Sequence, residues 1–274
     1  MTAPLTLLVD NGSLAPAATR QLRRLAAALA QRVGEPVAPV SLLHSSAVSP
    51  EELDGVAAEI FESALRARLA EGRTEFLVVP LFFGPSRALT DYLPTRVAHL
   101  QRRNPALHVQ MAPVLFAEGD RRLAEILADN VRSVTSCESG KPHRVALVDH
   151  GSPVREVTTV RNALALQLAA LLGPGAEVAP CSMERREGSE YDFNEPLLAK
   201  WLTQVEWGSG PVTVAMQFLL PGRHAGPEGD VAQICAAARV QQPKLTTQLT
   251  PLVAEHPRLV EILADRWRAG RNAR

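Results

Sequence analysis

Apolar positions along this chain follow two alternating rhythms. Short, largely apolar runs read as strands: Leu5 to Val9, Val37 to Leu43, Phe76 to Phe83 and His108 to Met111. Between them, apolar residues recur every three or four positions, as at Leu22, Leu25, Leu29 and Val33, which predicts amphipathic helices. Helices are expected over 15–33, from a Ser49 cap to about Leu69, over 90–102 and over 120–134. Phe76 to Phe83 is apolar throughout, as suits a strand buried on both faces. The small, polar stretch 135–142 breaks the rhythm and reads as a linker.

The rhythm then restarts. Strands are expected at Val145 to Val148, Glu177 to Ser182, Val212 to Leu220 and Leu245 to Leu249. Helices are expected over 154–172, 194–205, 230–240 and 258–268. Strand and helix alternate in both halves, which implies parallel sheets with right-handed crossovers. The expected fold is α/β: two tandem doubly wound domains, 1–135 and 143–274, each a mostly parallel four-stranded sheet flanked by helices.

The halves are copies of each other. Leu8-Val9-Asp10-Asn11-Gly12-Ser13 matches Leu147-Val148-Asp149-His150-Gly151-Ser152 at a spacing of 139. Pro85-Ser86-Arg87-Ala88 matches Pro221-Gly222-Arg223-His224 at 136, and Glu125-Ile126-Leu127-Ala128-Asp129 recurs unchanged at 261–265, also at 136. A period this long is a duplicated domain rather than a solenoid.

The copies differ where chemistry is expected. Ligands bind at the carboxyl ends of strands in open α/β sheets. There the second half has His150 after its first strand and His224 after its third, where the first half has Asn11 and Ala88. Histidines kept only to hold the fold would be needed in both halves. Asp10 and Asp149 occur in both and read as structural. Glu184 follows the second strand of the second half and emerges on the same edge. Two imidazoles and a carboxylate form a divalent-metal and proton-transfer set. Glu184 stands in a charged stretch with Arg185, Arg186 and Glu187, which fits a solvated loop residue equally well. Arg185, Arg186 and Arg223 are placed to pair with ligand carboxylates. Ser152 is read as a helix cap, with Pro153 at the first helical position. Helix amino termini after Gly12-Ser13 and Gly151-Ser152 would also favour anions.

Composition narrows the field. Of 274 residues, Lys plus Arg number 29 and Asp plus Glu 29, so no basic excess points to nucleic acid. Aromatic residues are 4% of the chain, a poor stacking surface for single strands. Cys137, Cys181 and Cys235 are scattered, with no Cys-x-x-Cys pair, which argues against thiolate zinc or an iron–sulfur cluster and fits a reducing compartment. No dinucleotide fingerprint, phosphate loop or Gly-x-Ser-x-Gly elbow is present. Leu5 to Val9 is too short for a signal or a membrane span. A cytoplasmic protein, with neither membrane nor nucleic acid as partner, is expected.

The motifs Val148-Asp149-His150-Gly151-Ser152 and Phe218-Leu219-Leu220-Pro221-Gly222-Arg223-His224, with Gly226 and Asp230 following, resemble the CbiX/SirB family of class II tetrapyrrole chelatases. The resemblance spans nearly the whole chain. It implies ATP-independent insertion of Co²⁺, Fe²⁺ or Ni²⁺ into sirohydrochlorin, in cobalamin or sirohaem biosynthesis. It implies His150, His224 and Glu184 as metal-site and catalytic residues. Arg185, Arg186, Arg223 and Ser152 would contact the substrate, and no cofactor would be needed beyond the metal substrate. The family stretch around the glutamate is usually shorter and less charged. The first-half counterpart of Glu184 falls near His44-Ser45, so the first half resembles a retired copy forming one wall of a cleft. Such a duplication would let a monomer replace a dimer. A chain with half its copies degraded also suits a non-catalytic carrier of tetrapyrrole or metal. An unrelated metal-dependent hydrolase is disfavoured by the lack of an acidic metal cluster.

Overall fold

The computed structural model describes residues 3–135, 143–204 and 209–273. The expected linker beyond Thr135, Cys137 within it, and the expected helix end at Val205 lie outside the described residues. Elements run β1 (Leu5–Asp10), α1 (Pro16–Val33), β2 (Val37–Ser41), α2 (Phe61–Ala70), β3 (Glu75–Pro80), α3 (Leu93–Gln101), β4 (His108–Met111) and α4 (Arg122–Val134). The second series is β5 (His143–Asp149), α5 (Arg155–Leu172), β6 (Ala176–Ser182), α6 (Leu198–Thr203), β7 (Gly210–Met216), α7 (Asp230–Gln241), β8 (Leu245–Leu249) and α8 (Leu259–Asn272).

Each series builds one parallel four-stranded sheet, ordered β2-β1-β3-β4 and β6-β5-β7-β8. The central strands are buried on both faces: Leu7, Leu8 and Val9 in β1, and Val145, Ala146, Leu147 and Val148 in β5, are inaccessible to solvent. That explains why their sequences are continuously apolar rather than alternating. In each sheet the chain leaves its first strand to one side and returns on the other. The ends of first and third strands are thereby adjacent, at the switch point where doubly wound sheets hold ligands.

Two expected helices are interrupted. The run from Ser49 to Leu69 splits into a 3₁₀ turn, Pro50–Leu53, and α2, because Asp54 and Gly55 take left-handed backbone (φ 59° and 80°). Ser49 does cap that turn, accepting from the Glu51 N–H at 3.3 Å. The helix expected from Asn194 begins only at Leu198. Pro196 holds Glu195 in extended backbone, and residues Ser189–Asn194 form a separate 3₁₀ segment.

The compact units also divide differently from the sequence repeat. One unit comprises residues 1–117 and 258–274; the other comprises 118–257. The expected closing helix of the first half, α4, therefore packs in the second unit, and α8 packs in the first. Asn130 of α4 is buried and donates to the Pro251 carbonyl at 3.2 Å, and Asp129 meets His256 at 3.4 Å. In the first unit, Trp267 of α8 donates to the Thr6 hydroxyl at 2.9 Å, and Arg266 bonds the carbonyls of Val114 (3.0 Å) and Leu115 (2.7 Å). Gly270 lies so close to β3 that a Cβ there would stand 2.9 Å from Leu77 Cδ1. Among the described residues, no helix is long and apolar enough to cross a membrane.

Candidate metal centre

The site is built on the second sheet. His150 is the residue after β5, and its neighbour Gly151 has φ +89°. The chain leaving β6 is locked to this corner through its backbone: Met183 N–H donates to the Asp149 carbonyl (2.8 Å) and Glu184 N–H to the His150 carbonyl (3.2 Å). Glu184 Oε1 then lies 3.5 Å from His150 Nε2. From the loop after β7, the His224 ring reaches the His150 ring at a centroid distance of 4.5 Å, nearly edge to face. Side-chain exposures of 46% for His150, 60% for Glu184 and 33% for His224 show that the three face solvent from one strand edge. The structure thus brings together the three residues that the sequence singles out.

Both rings have Nδ1 occupied. His150 Nδ1–H donates to the Gly151 carbonyl (2.9 Å), and His224 Nδ1–H donates to Asp230 Oδ2 (2.7 Å). A carbonyl or carboxylate only accepts, so each neutral ring carries its proton on Nδ1. Each Nε2 keeps its lone pair, the form in which imidazole binds a metal or takes up a proton. Among the described residues, no three His, Cys, Asp or Glu side chains are grouped so that they could hold a metal ion as they stand. The trio is an open cluster rather than a closed structural site.

Beneath the corner lies a buried polar network. Asp149 Oδ1 accepts from Ser182 Oγ (2.7 Å) and from the Gly151 N–H (3.1 Å), and Arg161 Nη1 stands 3.8 Å away. Arg161 is 1% exposed and donates to Ser182 Oγ (2.5 Å) and the Asn194 carbonyl (2.9 Å). Burial raises the Asp149 pKa, and the Arg161 charge opposes that rise. Burial likewise lowers the Arg161 pKa. Asn194 clamps the corner from the other side: its Oδ1 accepts from the Ser152 N–H and its Nδ2 donates to the Ser152 carbonyl, both at 2.9 Å.

Other expected residues are placed differently. Ser152 is not the helix cap. Its hydroxyl accepts from the Val154 N–H (3.0 Å) and Val154 is the cap residue, so Pro153 precedes the helix. Arg185 is turned inward on its own loop, paired with Glu195 (3.0 Å) and Asp192 (3.1 Å) and bonded to the carbonyls of Arg186 and Gly188. Arg186 stacks on the Tyr191 ring at 6.0 Å, and Arg223 is 83% exposed, 3.7 Å from Asp230. The latter two guanidinium groups remain open to a ligand.

The first unit repeats this corner without its chemistry. Leu42 N–H bonds the Asp10 carbonyl and Leu43 N–H bonds the Asn11 carbonyl, so the counterpart of Glu184 is Leu43, one residue before the expected His44-Ser45. Leu22 occupies the position of Arg161. Among the described residues, no buried cation pairs with Asp10; burial raises its pKa, opposed by the Ser41 hydroxyl, and its Oδ1, like Asp149 Oδ2, has no hydrogen-bond partner.

The sequence matches the CbiX family model over residues 5–134 and 144–269. The chain belongs to the CbiX family. The two matched segments coincide with the sequence repeat and not with the packing units. Among solved structures, SirB from Bacillus subtilis with Fe³⁺ is similar at TM-score 0.74 and 16% identity, over 99% of this chain and 96% of that one. SirB from Bacillus subtilis subspecies spizizenii in complex with cobalt gives 0.70 and 17%, over 99% and 97%. CbiX, described as the terminal enzyme for biosynthesis of sirohaem in denitrifying bacteria, gives 0.60 and 20%, over 97% and 98%. No sequence among the curated proteins matches this chain. At these identities the CbiX-family chain shares the relatives' fold, and its own residues must carry the chemistry.

Proposed function

We propose that this CbiX-family chain inserts a divalent metal, Co²⁺ or Fe²⁺, into sirohydrochlorin or a closely similar tetrapyrrole, without ATP or another cofactor. The observation that carries this reading is the approach of His150 to both Glu184 and His224 at the carboxyl edge of one sheet, with both Nδ1 atoms turned to hydrogen-bond acceptors. Imidazole and carboxylate together accept Co²⁺, Fe²⁺ and Ni²⁺. The metal here is a substrate that must be given up, and an open cluster suits transfer better than a closed cage would.

The proton balance follows from the same residues. Each divalent metal inserted displaces two pyrrole protons, which leave as the metal is transferred. An imidazole that has surrendered its metal regains its Nε2 lone pair and accepts one proton; Glu184 is placed to take the other. The buried Asp149–Arg161–Ser182 network holds the backbone that carries His150 and Glu184, so it is outside the proton path and sets the geometry. Arg186 and Arg223 would meet the carboxylates of the macrocycle; Arg185 is committed to its own loop.

The test is the absorbance change of sirohydrochlorin with purified protein and each metal in turn. Repeated turnover that is lost in His150→Ala and His224→Ala supports the reading. A single stoichiometric change without turnover would assign a carrier instead. Turnover with Co²⁺ would point to the cobalamin route and turnover with Fe²⁺ to the sirohaem route.

A further inference from the structure

The 2.7 Å contact between His224 Nδ1 and Asp230 Oδ2 ties a candidate metal ligand to a carboxylate that the proposed reaction does not use. Asp230 is the first residue of α7, and its N–H donates to the Arg223 carbonyl while Val231 N–H donates to the His224 carbonyl. The loop from His224 to Asp230 therefore closes on itself at the helix entrance. Gly229 makes this possible: a Cβ there would stand 2.9 Å from the His224 carbonyl carbon. Asp230 is 31% exposed on its side chain, and the Arg223 guanidinium lies 3.7 Å from it.

An aspartate at a helix amino terminus has an ordinary explanation, since the helix dipole favours a negative charge there. Two features go beyond it. The carboxylate is aimed at one ring nitrogen of His224 rather than at a backbone N–H of the helix. And the duplicated half lost both partners together: at the repeat spacing of 136, Ala88 stands for His224 and Pro94 for Asp230. In the first half the helical run already begins at Ala88, and neither the ring nor the carboxylate is present there.

We propose that Asp230 is the positioning residue of the His224 ligand. It fixes the Nδ1–H tautomer and the ring orientation, so that Nε2 is the nitrogen offered to a divalent cation. His150 obtains the same tautomer from a backbone carbonyl, which no side-chain substitution removes; His224 depends on a side chain. Outer carboxylate partners of this kind typically change metal affinity 10–100-fold. The proposal rests on His224 being a metal ligand, as the proposed function has it.

The experiment uses the full chain and Co²⁺ alone, without tetrapyrrole. Histidine ¹⁵N spectra, recorded above the imidazole titration range, should show His224 as the Nδ1–H form in the wild type and as a mixture of tautomers in Asp230→Ala. Co²⁺ affinity should fall about 10–100-fold in Asp230→Ala. In Asp230→Asn, whose amide oxygen still accepts, the Nδ1–H form and most of the affinity should return. On a His224→Ala background, Asp230→Ala should cost no further affinity. An unchanged tautomer in Asp230→Ala, or an equal loss of affinity on the His224→Ala background, would overturn the proposal. Because none of these readouts involves a tetrapyrrole, a protein that binds Co²⁺ through His224 but never metallates sirohydrochlorin would sink the proposed function and leave this inference standing.

Discussion

Gly151 and the Glu184 carbonyl are in contact: a Cβ built on Gly151 would lie 1.9 Å from that oxygen, and Gly151 has φ +89°. The close approach is what lets Glu184 N–H reach the His150 carbonyl and brings the carboxylate to the imidazole. Gly151→Ala should therefore push the β6 loop away, cost about 1–3 kcal/mol through backbone strain and weaken Co²⁺ binding. Gly12→Ala is the built-in control. There the Cβ would lie 1.7 Å from the Leu43 carbonyl oxygen, at φ +90°. It should cost similar stability and leave metal binding intact. Denaturant melts and Co²⁺ titrations of both variants check the pair.

Arg161→Leu places the first unit's residue in the second. It leaves the buried Asp149 carboxylate without its cation, and breaking a buried pair from one side costs about 3–5 kcal/mol. Arg161→Leu with Asp149→Asn removes both charges and should recover a large part of that loss. Equal unfolding midpoints for the single and double variants would show that the pairing contributes nothing.

Asp10 gives the first unit a pH dependence. Burial raises its folded pKa above the unfolded value, so the native state binds the extra proton. Stability from this group is fully present below the ordinary aspartate value and is lost as pH rises through the raised folded value. Asp10→Asn should make the first unit melt higher at neutral pH, and the gap to wild type should close as the buffer becomes acidic. A gap that widens on acidification would contradict the assignment.

Removing residues 258–274 takes α8 from the first unit. Trp267, Ile262 and Leu263 are lost from it, and β3 is uncovered. The truncated chain should show a cooperative melt for residues 118–257 and rapid proteolysis within 1–117. A fragment spanning 118–257 should fold, whereas 143–274, which follows the sequence repeat, should not.

The parallel sheets were legible because both-face burial leaves a plain mark: strands with no polar alternation. His150, Glu184 and His224 were legible because a duplicated chain carries its own comparison, and Asn11 and Ala88 stand against the histidines. Asp230 stands in the family motif, yet only its 2.7 Å distance to His224 Nδ1 points to the role proposed for it. Arg161 and Asn194 gave no signal, since an arginine inside a helix reads as a surface residue until its burial is known. The exchange of α4 and α8 was hidden for a more basic reason. Both helices carry the same Glu-Ile-Leu-Ala-Asp run, with the same Ile, Leu and Ala buried, so either would cover either sheet, and periodicity cannot say which.

That exchange reverses the order in which a nascent chain can finish its two halves. Residues 118–257 hold every part of the second unit and can close before α8 is available. The half made first must wait for residues 258–274, with Leu77 and its neighbours uncovered until α8 arrives. During synthesis, then, the histidine-bearing half matures ahead of its older sibling, and holdase chaperones would be needed most by the amino-terminal sheet.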